Sequence, residues 1–192
     1  LFSVLFLLQE RRAKDPLLPL RMFKNDVFSV AIVMGVLFGS VMVAGSVFLP
    51  LFLQIVRGAS ATSSGLLLVP MMGGVLVGST YSGRLITRTG RYKVFPLVGG
   101  AMCIIGIAML ATIDVSSTRM FVSIGMSILG LGIGTASPVM TLAVQNVAAR
   151  GDMGAATSAV NFFRSLGSAF GVAIFGAIQS ATLHSVLAAR LP

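Results

Sequence analysis

Gly83-Arg84-Leu85-Ile86-Thr87-Arg88-Thr89-Gly90-Arg91-Tyr92-Lys93 decides how this chain is read. Four of the fourteen basic residues fall within these eleven positions, and no acid does. Long apolar runs flank the stretch on both sides. Arg and Lys gathered between two apolar runs hold a membrane loop on the cytoplasmic face. With that loop placed inside, alternation sets the side of every other loop.

The composition agrees. Hydrophobic residues make up 56% of the 192 positions and charged residues 10%, and the mean hydropathy is +0.98. An average soluble domain is about 25% charged. This chain lacks the polar residues to cover a water-facing surface, so it reads as integral to a membrane. The net charge of +9 invites a nucleic-acid partner. The basic residues sit between apolar runs rather than along one surface, however. They serve as topology anchors touching anionic headgroups, and no nucleic acid is expected. The single cysteine, Cys103, sits in an apolar run and can form no internal disulfide. No Cys/His cluster offers a metal site, and no Ser/His/Asp arrangement offers catalysis, so no enzyme is expected.

Charge positions divide the chain. Thirty uncharged residues separate Asp26 from Arg57, 26 separate Arg57 from Arg84, 20 separate Lys93 from Asp114, and 30 separate Arg119 from Arg150. A helix crosses a bilayer core in about 20 apolar residues. Each run therefore crosses once. A fifth span is placed at Ala156 to Gln179, which puts Arg164 inside the membrane. Residues 1–8 read as the end of a truncated spanning helix, so the chain reads as a fragment. Residues 9–26 form a basic link, 27–179 a bundle of five transmembrane helices, and 180–192 an extracytoplasmic terminal loop before a missing last helix. The fold class expected is all-α, a polytopic membrane bundle of one partial and five full spans.

Alternation can be tested by counting. With the basic link inside, ten basic residues lie on the cytoplasmic side, against Arg57, Arg119 and Arg190 on the other. That asymmetry favours one orientation. Within the link, Asp15-Pro16-Leu17-Leu18-Pro19-Leu20 cannot be a continuous helix. It is either an interfacial segment or a plain connector.

Inside the spans, glycines recur four apart: Gly35 and Gly39, Gly74 and Gly78, Gly130 and Gly134, Gly167 and Gly171. Each pair clears a stripe along which another helix backbone can approach, and in lipid such packing holds a bundle together. Pro50, Pro70 and Pro138 lie within spans and would kink them. Gly130-Leu131-Gly132-Ile133-Gly134 has no preceding strand and no following acid to hold a ribose, so it is not a nucleotide loop.

Ser158, Asn161, Ser165 and Ser168 step by three and four along one helical face of the fifth span, and Arg164 flanks them. A charge at depth costs about 2.5–3.5 kcal/mol even on the lenient insertion scale. Counted from Ala156, Arg164 lies about 12 Å deep. Two roles are open to it: lining a cavity or gate, or snorkelling to the headgroups. The five acids, Glu10, Asp15, Asp26, Asp114 and Asp152, all lie in loops or at span ends. The chain therefore offers no membrane-embedded carboxylate as a proton relay.

The organising stretch resembles the cytoplasmic loop signature of the major facilitator superfamily, in which a glycine is followed by an acid, a base, a glycine and more bases. Gly83, Arg88, Gly90, Arg91 and Lys93 match, and Thr87 stands where the acid would be. The link QERRAKDPLLPLRMF, the span opening GASATSSGLLLVP, and the segments GLGIGTASPV and RGDMGAATSAVNFFRSLGSAFGVAIFG resemble the C-terminal half of the fourteen-span drug:proton antiporter branch. The resemblance covers nearly all of the chain. It implies two bundles of six helices built from inverted three-helix repeats, with the N-terminal bundle supplied elsewhere in the same polypeptide. It also implies a multi-pass protein of the bacterial cytoplasmic membrane, with no cofactor and a proton gradient as the energy source. The function implied is efflux of drugs or amphipathic small molecules by alternating access. The rival reading is a membrane scaffold or assembly subunit with no transport cycle.

Overall fold

The computed structural model describes residues 20–192 apart from 59, 91, 115, 116, 150, 191 and 192. The expected partial helix, most of the basic link, Arg91 and Arg150 lie outside the described residues. A short 3-10 turn, Leu20–Lys24, leads into α1, Asp26–Val43. A π-helical turn, Ala44–Phe48, joins α1 to α2, Leu49–Arg57. Then come α3, Ala61–Leu66, α4, Leu68–Thr89, α5, Val94–Ala111, α6, Arg119–Val147, and α7, Met153–Arg190. Among the described residues there is no strand.

Five stretches are long and apolar enough to cross a membrane: Asp26–Ile55, Ala61–Thr89, Val94–Ala111, Arg119–Val147 and Met153–Thr182. They match the four spans that charge spacing marks out and the fifth placed across Arg164, and the chain forms the all-α membrane bundle expected. One boundary differs. The fifth helix was expected to end at Gln179, but the backbone stays helical to Arg190. Hydropathy marks where the bilayer would end, whereas a helix ends at a breaker, and none stands between Gly176 and Pro192.

Local chemistry sets the helix ends. Asn25 caps α1, its Oδ1 accepting from the Val27 N–H at 2.9 Å. Ser60 caps α3 by accepting from the Ser63 N–H at 3.2 Å. Gly90 closes α4 with φ of 66°, in the left-handed region.

The prolines explain two irregularities. Pro50 has no N–H for the Ser46 carbonyl four residues back, and its ring would crowd that carbonyl. The chain widens there into the π turn Ala44–Phe48. Pro70 stands in the same relation to Leu66, and there α3 gives way to α4. Pro138 leaves α6 continuous. Hydroxyls near it bond the backbone, Thr135 Oγ1 to the Leu131 carbonyl at 2.6 Å and Ser137 Oγ to the Ile133 carbonyl at 2.8 Å.

α6 is the hub. It packs against α4 on one side and α5 on another, while α1 packs against α7. Contacts from α6 to α1 and α7 join the two groups. Met126, Leu129, Val122, Val139 and Val144 of α6 are fully buried, as is Phe28 of α1.

The four glycine pairs face one another in two crossings. A Cβ on Gly39 would strike the Arg164 backbone and one on Gly167 would strike the Val36 backbone, so the pairs of α1 and α7 meet. Likewise Gly74 lies on Ser127 and Leu131, and Gly130 and Gly134 lie on Met71 and Val75, so the pairs of α4 and α6 meet. The first span thus crosses the fifth as the fourth crosses the second. Two triplets of inverted topology would produce that relation.

Candidate functional site

The residues singled out on the fifth span share one stretch of α7. Its backbone is helical from Met153, so Arg164 lies about 16 Å along the helix. Ser158, Asn161, Arg164 and Ser165 are exposed, and Ser168 is half-buried. An Arg164 Nη2 hydrogen donates to Asn161 Oδ1 at 2.9 Å. Ser165 Oγ donates to the Asn161 carbonyl at 3.0 Å. A guanidinium carries five N–H donors, and the Asn161 bond uses one of them. Among the described residues Arg164 has no carboxylate partner. The arrangement can hold an acceptor or an anionic group beside a line of hydroxyls.

Ser168 has a different task. Its hydroxyl lies 3.1 Å from both the Gly39 carbonyl of α1 and the Arg164 carbonyl, and its one hydrogen is shared between them. The α1 hydroxyl of Ser40 donates in return to the Gly167 carbonyl at 2.8 Å. The two serines clamp the α1–α7 crossing, one from each helix, about one turn along α7 from Arg164. Sequence reasoning passed over Ser40. Its position next to Gly39, on the stripe that meets α7, is the signal that could have found it.

A second link was also missed. Gln145 of α6 donates through Nε2 to Thr157 Oγ1 of α7 at 3.1 Å, and Thr157 Oγ1 donates to the Met153 carbonyl at 2.8 Å. An amide near the end of an apolar run is the signal for it. The start of the polar line on α7 is therefore tied to the hub helix.

In the loop signature, Arg84, Arg88 and Lys93 are exposed, Gly83 is half-buried, and a Cβ on Gly83 would meet open space. Gly90 is required by its positive φ. Thr87, in place of the acid, turns its hydroxyl onto the Arg84 carbonyl at 2.8 Å. Arg91 lies outside the described residues. Asp26, Lys93 and Ala143 border one common cavity, so the start of the first span, the basic loop and the end of the fourth share one end of the bundle. Gly45, Ile113 and Leu129 border another, toward the opposite end. Among the described residues no group of three His, Cys, Asp or Glu could hold a metal.

The Major Facilitator Superfamily profile matches residues 3–172. An uncharacterized MFS-type transporter of Mycobacterium tuberculosis is 42% identical over 173 residues, covering 90% of this chain and 25% of the relative. The multidrug transporter protein MdtP of Bacillus subtilis is 33% identical over 188 residues, covering 98% of this chain and 35% of the relative. The methylenomycin A resistance protein of Bacillus subtilis is 34% identical over 175 residues, covering 91% and 38%. The chain thus spans between 25% and 38% of the length of these relatives.

Proposed function

The chain belongs to the Major Facilitator Superfamily, and from that premise we propose that it is one portion of a secondary active transporter exporting drugs or other amphipathic small molecules. The superfamily is one of transporters rather than enzymes, in keeping with the sequence reading. The finer placement we propose is the fourteen-span drug:proton antiporter branch, working by alternating access in a bacterial cytoplasmic membrane. A partner bundle from the same polypeptide would complete the cavity. The proton-binding carboxylate would lie on that bundle, since the acids of this chain stand in loops and at span ends.

One observation carries the reading: Asn161 and Arg164 form a hydrogen-bonded polar pair on an exposed part of a spanning helix whose neighbouring stripe is locked to α1. A charge held so far along a span is costly on lipid. It is stabilised where it faces a second bundle and a water-filled cavity. Relatives named for multidrug transport and antibiotic resistance support export of apolar or amphipathic compounds.

The test is dye retention in an efflux-deficient bacterium expressing the whole polypeptide, partner bundle included. The expected result is lower retention than in control cells, restored by a proton uncoupler. Replacing Asn161 and Arg164 by Ala should abolish the difference while leaving the amount in the membrane unchanged. Retention equal to that of control cells with the unsubstituted protein would favour a scaffold that does not transport, and equal export by the double variant would remove Asn161 and Arg164 from the transport path.

A further inference from the structure

A cavity of about 440 Å³ opens where α1 begins, between α1, the start of α5 and the last third of α6. Its walls are Val30, Met34, Leu97 and Met140. Val30 is 57% exposed and Leu97 76% exposed, so the groove is open along the flank of the bundle. Its rim is polar. Asp26, the first residue of α1, stands at one side, and Tyr92 and Lys93, just before α5, at the other. Asp26 and Lys93 are both exposed, and among the described residues neither forms an ion pair.

The groove is therefore apolar along its length and carries one charge of each sign at its mouth. From Asp26 to Met34 it follows α1 for about 12 Å. Asp26 and Lys93 begin two spans, so the mouth lies at the depth of the lipid headgroups. A fatty-acyl chain suits the walls, and a headgroup suits the rim. The signs choose among headgroups. Lys93 can take a phosphate, and Tyr92 can donate a hydrogen bond to it. Asp26 would repel a headgroup that is only anionic, and it pairs with an ammonium. A primary ammonium donates hydrogen bonds to a carboxylate, whereas a quaternary one has no N–H to give.

We propose that this groove binds a zwitterionic phospholipid with a primary-amine headgroup, its phosphate on Lys93, its ammonium on Asp26 and one acyl chain between α1, α5 and α6. The site depends on the membrane placement of the bundle and not on what the protein transports. An amine lipid held there ties the α1 end of the first span to the basic loop.

The test is native mass spectrometry of the protein released from nanodiscs containing equal phosphatidylethanolamine and phosphatidylglycerol. A second set replaces the phosphatidylethanolamine by phosphatidylcholine. The expected result is one retained phosphatidylethanolamine, about fivefold preferred over either other lipid. Asp26→Asn, which keeps size and shape at an exposed helix start, should remove the preference without changing thermal stability. Val30→Trp, which fills the groove from its open side, should abolish retention of all three lipids. An unchanged preference in Asp26→Asn would overturn the headgroup assignment. Unchanged retention in Val30→Trp would show that the lipid sits elsewhere and that protein fills the groove. Both results are independent of dye export, so loss of one reading leaves the other standing.

Discussion

Gly39 of α1 lies flat against the backbone of Arg164, the residue whose guanidinium bonds Asn161. One position therefore serves two purposes. Its main chain belongs to the tightest part of the α1–α7 crossing, and its side chain belongs to the exposed polar pair. The bonds from Ser168 to the Gly39 carbonyl and from Ser40 to the Gly167 carbonyl, at 3.1 and 2.8 Å, fix the helix about one turn beyond it. Arg164 is held on a rigid element, and its head bonds Asn161 on the exposed face of that same helix.

That crossing separates two substitutions of identical chemistry. A Cβ on Gly35 would lie 3.6 Å from the Val160 carbonyl oxygen, an ordinary contact, whereas one on Gly39 would collide with the Arg164 backbone. Gly35→Ala should leave the thermal unfolding midpoint in detergent nearly unchanged. Gly39→Ala should lower stability by about 1–3 kcal/mol, the usual range for overpacking. Equal effects of the two would mean that α1 and α7 do not cross where the structure places them.

Ser40 and Ser168 should act as a pair. Interhelical hydrogen bonds in membranes average about 0.6 kcal/mol. Ser40→Ala and Ser168→Ala should each cost about that much in unfolding by denaturant. The double variant should depart from additivity, because the first loss loosens the contact on which the second depends. A Ser168→Ala variant as stable as the parent would move Ser168 from the clamp to the cavity face.

How much of this was legible follows from which forces leave marks in a sequence. Desolvation does: the charge gaps gave four of the five spans because a charge in lipid is costly whatever it packs against, and the fifth had to be placed across Arg164. Close packing also does, since Gly35 and Gly39 or Gly130 and Gly134 announce that some backbone approaches. The partners were not legible, because four-residue spacing names a stripe and not the helix that fills it. The polar face of α7 was read as a single group. The structure divides it, because Ser168 lies nearer the α1 contact than Ser158, Asn161 and Ser165. The end of α7 was set too early, since hydropathy falls where helix propensity does not. The π turn at Ala44–Phe48 was hidden behind the general expectation of a kink at Pro50.

The sides of the membrane can be checked directly. In a Cys103→Ala background, Ser60→Cys and Lys93→Cys place single thiols in the loops that open α3 and α5. Both positions are exposed. An impermeant thiol reagent added to intact cells should label Ser60→Cys and should label Lys93→Cys only after the membrane is opened. The reverse pattern would invert the orientation drawn from the basic loop. The Cys103 thiol of the parent is 5% exposed and should react with neither treatment.

The π turn gives a prediction about motion. Pro50 leaves the Ser46 carbonyl without its usual partner, and the turn places Gly45 against Leu129 of α6. Pro50→Ala restores an N–H at the position that caused the widening, and regular α geometry then becomes available through the first span. Straightening would withdraw Gly45 from Leu129, so the gain in hydrogen bonding is opposed by loss of that contact. Hydrogen exchange at residues 46–50 should slow in the variant, because a π turn opens more readily than a regular helix. If the first span bends during transport, export should fall several-fold with the protein still present in the membrane. Slower exchange with undiminished export would assign the π turn to packing alone. Unchanged exchange would mean that Pro50 is not its cause.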